Sequence, residues 1–199
     1  MTAPRTRAVR GDARRNRERI LVAARDQLCL DPRAGMSEIA EQAGIGRVTL
    51  YGHFASRKDL VAEVFRLHLA EAERIVSASD PGQSPPERLA EMIHTSWQVM
   101  AEVDGLIAAA ETELGTEHVH ADHARILGHV EELIRSGIES GHFRTAQSPR
   151  WLTHCFFALM HGTAAALRTT GAPTDSVGDD LTVTLSAALG ADTASDPGA

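Results

Sequence analysis

Residues 36–54, MSEIAEQAGIGRVTLYGHF, constrain the fold of this chain more than any other stretch. Ile39, Ala40 and Ala43 fall on one face of a short helix over Met36–Gln42, Gly44 closes it, and a second short helix runs over Arg47–His53. A glycine at such a turn suits a left-handed conformation, which a side chain disfavours. The small Ala40 permits close helix approach, and Ile39, Ala43, Ile45 and Leu50 form one inward apolar set. Arg47, Val48, Thr49, Tyr51, Gly52 and His53 are then left to point outward. Two short helices joined by a glycine-containing turn and packed on a third make a helix-turn-helix unit.

The third helix is expected from near Arg14, with Ile20, Ala24 and Leu28 recurring at helical spacing and Asp31-Pro32 ending it. Ser56-Arg57-Lys58-Asp59 reads as the capping signal of a long helix over 56–77, with Leu60, Val64 and Leu67 on one face. SASDPGQSPP, at 77–86, is the clearest linker. Further helices are expected at about Glu87–Glu102, Gly105–Leu114, Thr116–Ser140, Pro149–Thr170 and Asp175–Leu189, with Gly141 and Gly171 closing two of them. No β-branched run alternates at period two, so the class is all-α with about nine helices. The expected organisation is a disordered basic arm over 1–13, a helix-turn-helix domain over 14–60, a helical regulatory and dimerisation domain over 61–190 and a disordered tail over 191–199.

Charge divides along the same line. The 199-residue chain has a formal net charge of −7, yet residues 1–60 carry 12 Lys+Arg against 7 Asp+Glu, while residues 61–199 carry 8 against 20. The basic end therefore meets a polyanion and the acidic end lies away from it. The longest apolar run, Cys155–Met160, is far short of a bilayer span, and no secretory leader is recognisable, which places the chain in the cytoplasm with no membrane partner. Cys29 and Cys155 have no CxxC partner and read as buried thiols.

The run RERILVAARDQL, followed by EIAEQAGIGRVTLYGHFASRKDLV, resembles the DNA-binding domain of the TetR family of transcriptional regulators over about Arg14–Phe65. Its most specific part is Leu-Tyr-x-His-Phe at 50–54 with Lys-Asp-Leu at 58–60. The resemblance implies a homodimer whose subunits each join a three-helix DNA-binding domain to a larger helical regulatory domain. It also implies phosphate contacts from Tyr51, His53 and Lys58, and base contacts from Arg47, Val48 and Thr49. Arg14 and Arg15, with the arm, add sequence-blind attraction to the DNA backbone. Gly35 and Gly46 stand where the family often has a Ser or Thr cap, Val48 replaces a common glycine, and Gly52 replaces a larger residue. The function expected is a one-component repressor that binds a palindromic double-stranded operator and is released when a small-molecule effector moves the fourth helix.

In the acidic part, Gly162, Ala164, Ala165 and Ala166 of the penultimate helix and Val177, Leu181, Thr184, Leu185 and Ala188 of the last are expected to build the homodimer interface. Ile93, His94, Trp97 and Met100 on one helix, with Phe157 and His161 on another, are the candidate effector pocket, apolar with a few polar groups. The resemblance implies a hydrophobic or aromatic effector. EHVHADH offers Glu117, His120 and His123 along one helical edge as a weaker candidate metal site, so a metal-responsive or ligand-free regulator is the alternative. No nucleophile elbow, phosphate-binding loop or HExxH motif is present, which leaves a helical enzyme a remote alternative and calls for no catalytic residue and no cofactor.

Overall fold

The computed structural model of the protein describes residues 5–77, 82–170 and 176–191. Among them are nine α-helices and no strand: α1 (Arg5–Leu30), α2 (Met36–Gln42), α3 (Arg47–His53), α4 (Arg57–Ser77), α5 (Pro85–Leu114), α6 (Thr116–Asp122), α7 (Ala124–Glu139), α8 (Pro149–Thr170) and α9 (Val177–Ala188). The all-α expectation holds. The ends of α2, α3 and α4 fall where caps and glycines put them in the sequence.

Three helices differ from expectation. The segment expected as an irregular arm is helical from Arg5, residues 1–4 lying outside the described part. No proline interrupts residues 5–31, and the pairs Arg15 with Asp12 and Arg14 with Glu18 sit at the spacings that support a helix. The two helices expected at Glu87–Glu102 and Gly105–Leu114 are one, α5, begun by Pro85 in the first turn, where its missing N–H costs nothing. Glu87 accepts bonds from the Ser84 N–H and Oγ, at 2.8 and 2.7 Å. The single helix expected at Thr116–Ser140 is instead broken into α6 and α7 at His123. Gly141 does close α7, with φ +78°, whereas Gly171 lies outside the described residues.

The chain forms two compact units interleaved in sequence. The first joins the residues up to His68 with Gly105–Ala121. Its core holds Ile20, Ala24 and Leu28 of α1, Ile39 of α2, Leu50 of α3, Leu60 and Phe65 of α4, and Leu106 and Ala109 of α5. Seven-residue helices such as α2 and α3 do not persist in water unaided, so the burial of Ile39 and Leu50, with α2 packed on α1 and α3 on α2, is what keeps them folded. Gly105 explains why α5 continues where a helix end was expected. A Cβ there would lie 2.5 Å from the Leu28 carbonyl oxygen and closer still to that of Cys29, so glycine serves the approach of two backbones. Arg57 ties the same unit together: Nε donates to the Ala34 carbonyl at 2.9 Å, Nη2 to the Pro32 carbonyl at 2.5 Å, and Nη1 to the Glu113 carboxylate.

The second unit comprises Leu69–Asp104 and the residues from Asp122 onward. Its core is built from Leu89, Ile93 and Trp97 of α5, Val130, Leu133 and Ile134 of α7, Phe156 and Met160 of α8, and Leu181 and Leu185 of α9. The Phe143 ring packs against Gly137, where any side chain would strike it. Cys155 is half-buried rather than enclosed, as is Cys29 in the first unit. Among the described residues no helix is long and apolar enough to cross a membrane.

Candidate nucleic-acid interface

The turn between α2 and α3 is fixed by backbone bonds that the sequence spacing anticipates. Ile45 N donates to the Ala40 carbonyl at 3.0 Å and Gly44 N to that of Glu41 at 2.9 Å, the paired pattern that closes a helix through a left-handed residue. Gly44 supplies that residue, with φ +63°. Arg19 Nη2 donates to the Gly44 carbonyl at 3.4 Å, and a Cβ on Gly44 would stand 2.8 Å from the same nitrogen.

Both short helices start at extended glycines. Gly35 donates its N–H to Glu38 Oε2 at 2.7 Å, which is one half of a capping box, since glycine has no side chain to return the bond. Gly46 opens α3 with φ −73° and ψ 148°, and its carbonyl receives the Leu50 N–H at 3.1 Å. Phe54, buried, ends α3. Ser56 then starts α4, its hydroxyl receiving the Asp59 N–H at 3.1 Å and donating to Asp59 Oδ2 at 2.7 Å.

With Ile39, Ala43 and Leu50 turned inward, the outer surface of α3 is Arg47, Val48, Thr49, Tyr51 and Gly52, all exposed. Val48 is 88% exposed, an apolar side chain with no packing role in its own chain. His53 is half-buried at the end of α3, and Lys58 is exposed in the first turn of α4. Ile45, expected inside, is half-buried. Arg14 and Arg15 stand exposed on α1, the former 3.0 Å from Glu18 and the latter paired with Asp12. The chemistry of this surface is cationic and hydroxyl-bearing around a small apolar centre, which suits a phosphate-lined groove with base edges at its floor.

Behind it lies a charged cluster that sequence spacing does not reveal. Glu63 of α4 holds Arg17 of α1 at 2.7 Å and Arg66 at 2.9 Å, and the Arg17 guanidinium carbon sits 5.0 Å from the centre of the Phe54 ring. Hydrogen bonds from Arg66 first, then Arg17, lower the Glu63 pKa to about 2. Arg57, with its two carbonyls and Glu113, is likewise absent from the expected site, because partners 23 to 56 residues away leave no local pattern.

In the second unit the candidate pocket residues divide. Ile93 and Trp97 are buried in the core with Met100 packed against it. Phe157 and His161 are half-buried with ring centres 4.0 Å apart and planes tilted by 37°, and each also meets His123 edge-on at 5.2 Å. His94 does not turn inward with Trp97: its ring lies over Gly178, with Nε2 3.3 Å from Asp179 Oδ1. A separate cavity of about 210 Å³, lined by Arg74, Arg88, Glu91, Met92 and Thr95, was not anticipated.

Two expectations are corrected. Glu117, His120 and His123 do not share a helical edge, since helix α6 ends at Asp122 and buried His123 stands at the N-cap of α7 among aromatic rings. Among the described residues no group of three or more His, Cys, Asp or Glu side chains is placed to hold a metal. Val177, Leu181 and Leu185 of α9, and Ala164 of α8, face the core of their own subunit rather than outward. Of the expected set, Gly162 and Ala166 of α8 and Thr184 and Ala188 of α9 stay exposed, and Trp151, Ala158 and Val183 are exposed with them.

Residues 32–64 match the pattern of the bacterial regulatory proteins of the tetR family. The HTH-type transcriptional repressor LfrR of Mycolicibacterium smegmatis is 27% identical over 203 residues, covering 95% of this chain and 97% of LfrR. A solved structure of LfrR in complex with proflavine, from Mycobacterium smegmatis, has a TM-score of 0.68 at 21% identity over 88% of this chain and 97% of that one. A TetR family regulator from Agrobacterium tumefaciens superposes with a TM-score of 0.76, at 19% identity over 89% and 98%. FadR from Bacillus subtilis, in complex with stearoyl-CoA, gives 0.71 at 18% identity over 86% and 98%.

Proposed function

From the premise that the chain belongs to the tetR family of bacterial regulatory proteins, we propose that it is a cytoplasmic, homodimeric repressor that binds a palindromic operator and is released by a small-molecule effector. As a member of that family it is a DNA-binding transcriptional regulator and not an enzyme. The observation that carries the operator reading is the outer face of α3. Arg47, Val48 and Thr49 project exposed from a helix whose only buried residue is Leu50, and among the described residues no hydrogen bond or ion pair engages their side chains. Arg47 pairs with a guanine edge, while Tyr51, His53, Lys58, Arg14 and Arg15 hold the flanking phosphates.

Two copies of α3 reach successive major grooves only if the subunits are joined with centres about 34–36 Å apart. The open faces of α8 and α9 support that joining. Ala158, Gly162 and Ala166 let two helices approach closely, and Trp151, 55% exposed, supplies apolar area at one end. For the effector, the Trp97 and Met100 region and the neighbouring rings of Phe157 and His161 favour an apolar or flat aromatic molecule. The complexes of LfrR with proflavine and FadR with stearoyl-CoA fit that range.

The test is selection of bound duplexes from a random-sequence pool, followed by affinity measurements over a range of salt. Arg47→Ala is expected to cost about 1–3 kcal/mol at one base pair of each half-site and to relax the preference there. Lys58→Ala is expected to weaken all duplexes alike and reduce the salt slope by about 1. No enriched sequence, or equal loss on every duplex for Arg47→Ala, refutes the assignment.

A further inference from the structure

The glycine at position 52 has no explanation inside its own subunit. It lies within α3, among the exposed residues, and is not one of the glycines with positive φ. A Cβ there would meet no heavy atom within 4 Å. Gly105 and Gly137, by contrast, admit a neighbouring backbone or ring, and Gly46 stands at a cap. Glycine inside a helix is destabilising relative to alanine, and a seven-residue helix has little to spare.

Helical spacing puts Val48 and Thr49, four and three residues earlier, on the same outward stripe as Gly52. Side chains in a helix lean toward its N-terminus, so a side chain on residue 52 would cover the surface beside those two residues. Its omission leaves the backbone at residue 52 uncovered beside the exposed Val48 and Thr49 side chains. Val48 is as little used within the subunit as the missing side chain. The one apolar group that a base pair presents in the major groove is the thymine C5-methyl.

We propose that Gly52 is a specificity-determining position, where the absent side chain lets α3 seat a thymine methyl between Val48 and Thr49. The inference rests on the operator reading above and adds to it one base and the reason for it.

The probe is the duplex that the wild-type protein enriches from a random pool, compared with the same duplex carrying uracil in place of each thymine in turn. For wild type, one thymine per half-site is expected to lose about fourfold in affinity when its methyl is removed. Gly52→Ala is expected to raise the melting temperature, weaken the selected duplex by about fourfold, leave a random duplex within about twofold, and abolish the uracil effect. Unchanged affinity of Gly52→Ala for the selected duplex, equal weakening on both duplexes, a lowered melting temperature, or no thymine sensitive to its methyl each overturns the proposal while the operator reading stands. A wild-type protein that enriches no sequence overturns both.

Discussion

Replacing Gly105 by alanine sets two opposed effects against each other in α5. Alanine inside a helix is favoured over glycine by about 1 kcal/mol, so a helix free of contacts would gain stability. Here the new Cβ would lie 2.5 Å from the Leu28 carbonyl oxygen, where a carbon and an oxygen ordinarily stay about 3.3 Å or more apart. The obstacles are carbonyl oxygens of Leu28 and Cys29, which have no rotamer to escape into. Separating the segments by roughly 0.8 Å loosens the contacts of Leu28, Leu106 and Ala109, all fully buried, and a gap of that size forfeits about a quarter to a half of each dispersion contact. Overpacking costs about 1–3 kcal/mol in yielding cores, and an unyielding backbone puts this site at the upper end. The net expectation is about 2 kcal/mol of destabilisation, or a fall of roughly 4–8 °C in melting temperature for a chain of this length. Thermal unfolding by circular dichroism reads it, with Gly128→Ala as the control. That exposed glycine of α7 has nothing within 4 Å of a new Cβ, so its substitution is expected to raise the midpoint. A Gly105→Ala protein as stable as wild type would refute the reasoning, because the close approach of α5 to the end of α1 would then impose no steric limit.

The Glu63 cluster makes stability depend on acid. The folded pKa of about 2 lies below the ordinary 4.5, so the stabilisation is complete above about pH 4.5 and lost as pH falls toward 2. Such a shift corresponds to about 3 kcal/mol before screening, and with Arg66 61% and Arg17 42% exposed about 1–2 kcal/mol is expected. Glu63→Gln should therefore lower stability by that amount at pH 7 in denaturant titrations and by almost nothing near pH 2. A pH-independent difference would show the loss to be one of packing. On the open face of α8, Ala158→Glu and Gly162→Glu should convert the proposed dimer to monomers in sedimentation velocity with helix content retained. An intact dimer would move the interface elsewhere.

Much of the helix-turn-helix unit is legible in the sequence because the forces that shape it act over a few residues. The α2 end, the left-handed Gly44, the start of α3 and the Ser56 cap are each closed by hydrogen bonds spanning at most five positions, so residue type and spacing carry the answer. The inward set of Ile39, Ala43 and Leu50 follows from helical period, and the exposed Arg47, Val48 and Thr49 are its complement.

Tertiary contacts decided what local pattern left ambiguous. Gly105 reads as a helix break until the α1 carbonyls beside it are known, and Thr116–Ser140 reads as continuous until His123 is seen turned among Phe157 and His161. Periodicity identified Val177, Leu181 and Leu185 as one stripe of α9 but not whether a partner subunit or their own core would cover it. The three-way anchoring by Arg57 and the pairing of Arg17 with Glu63 join residues 23 to 56 positions apart. A helix announces its faces through the spacing of its own side chains, whereas what each face meets depends on where distant segments fold, which only the packed structure fixes.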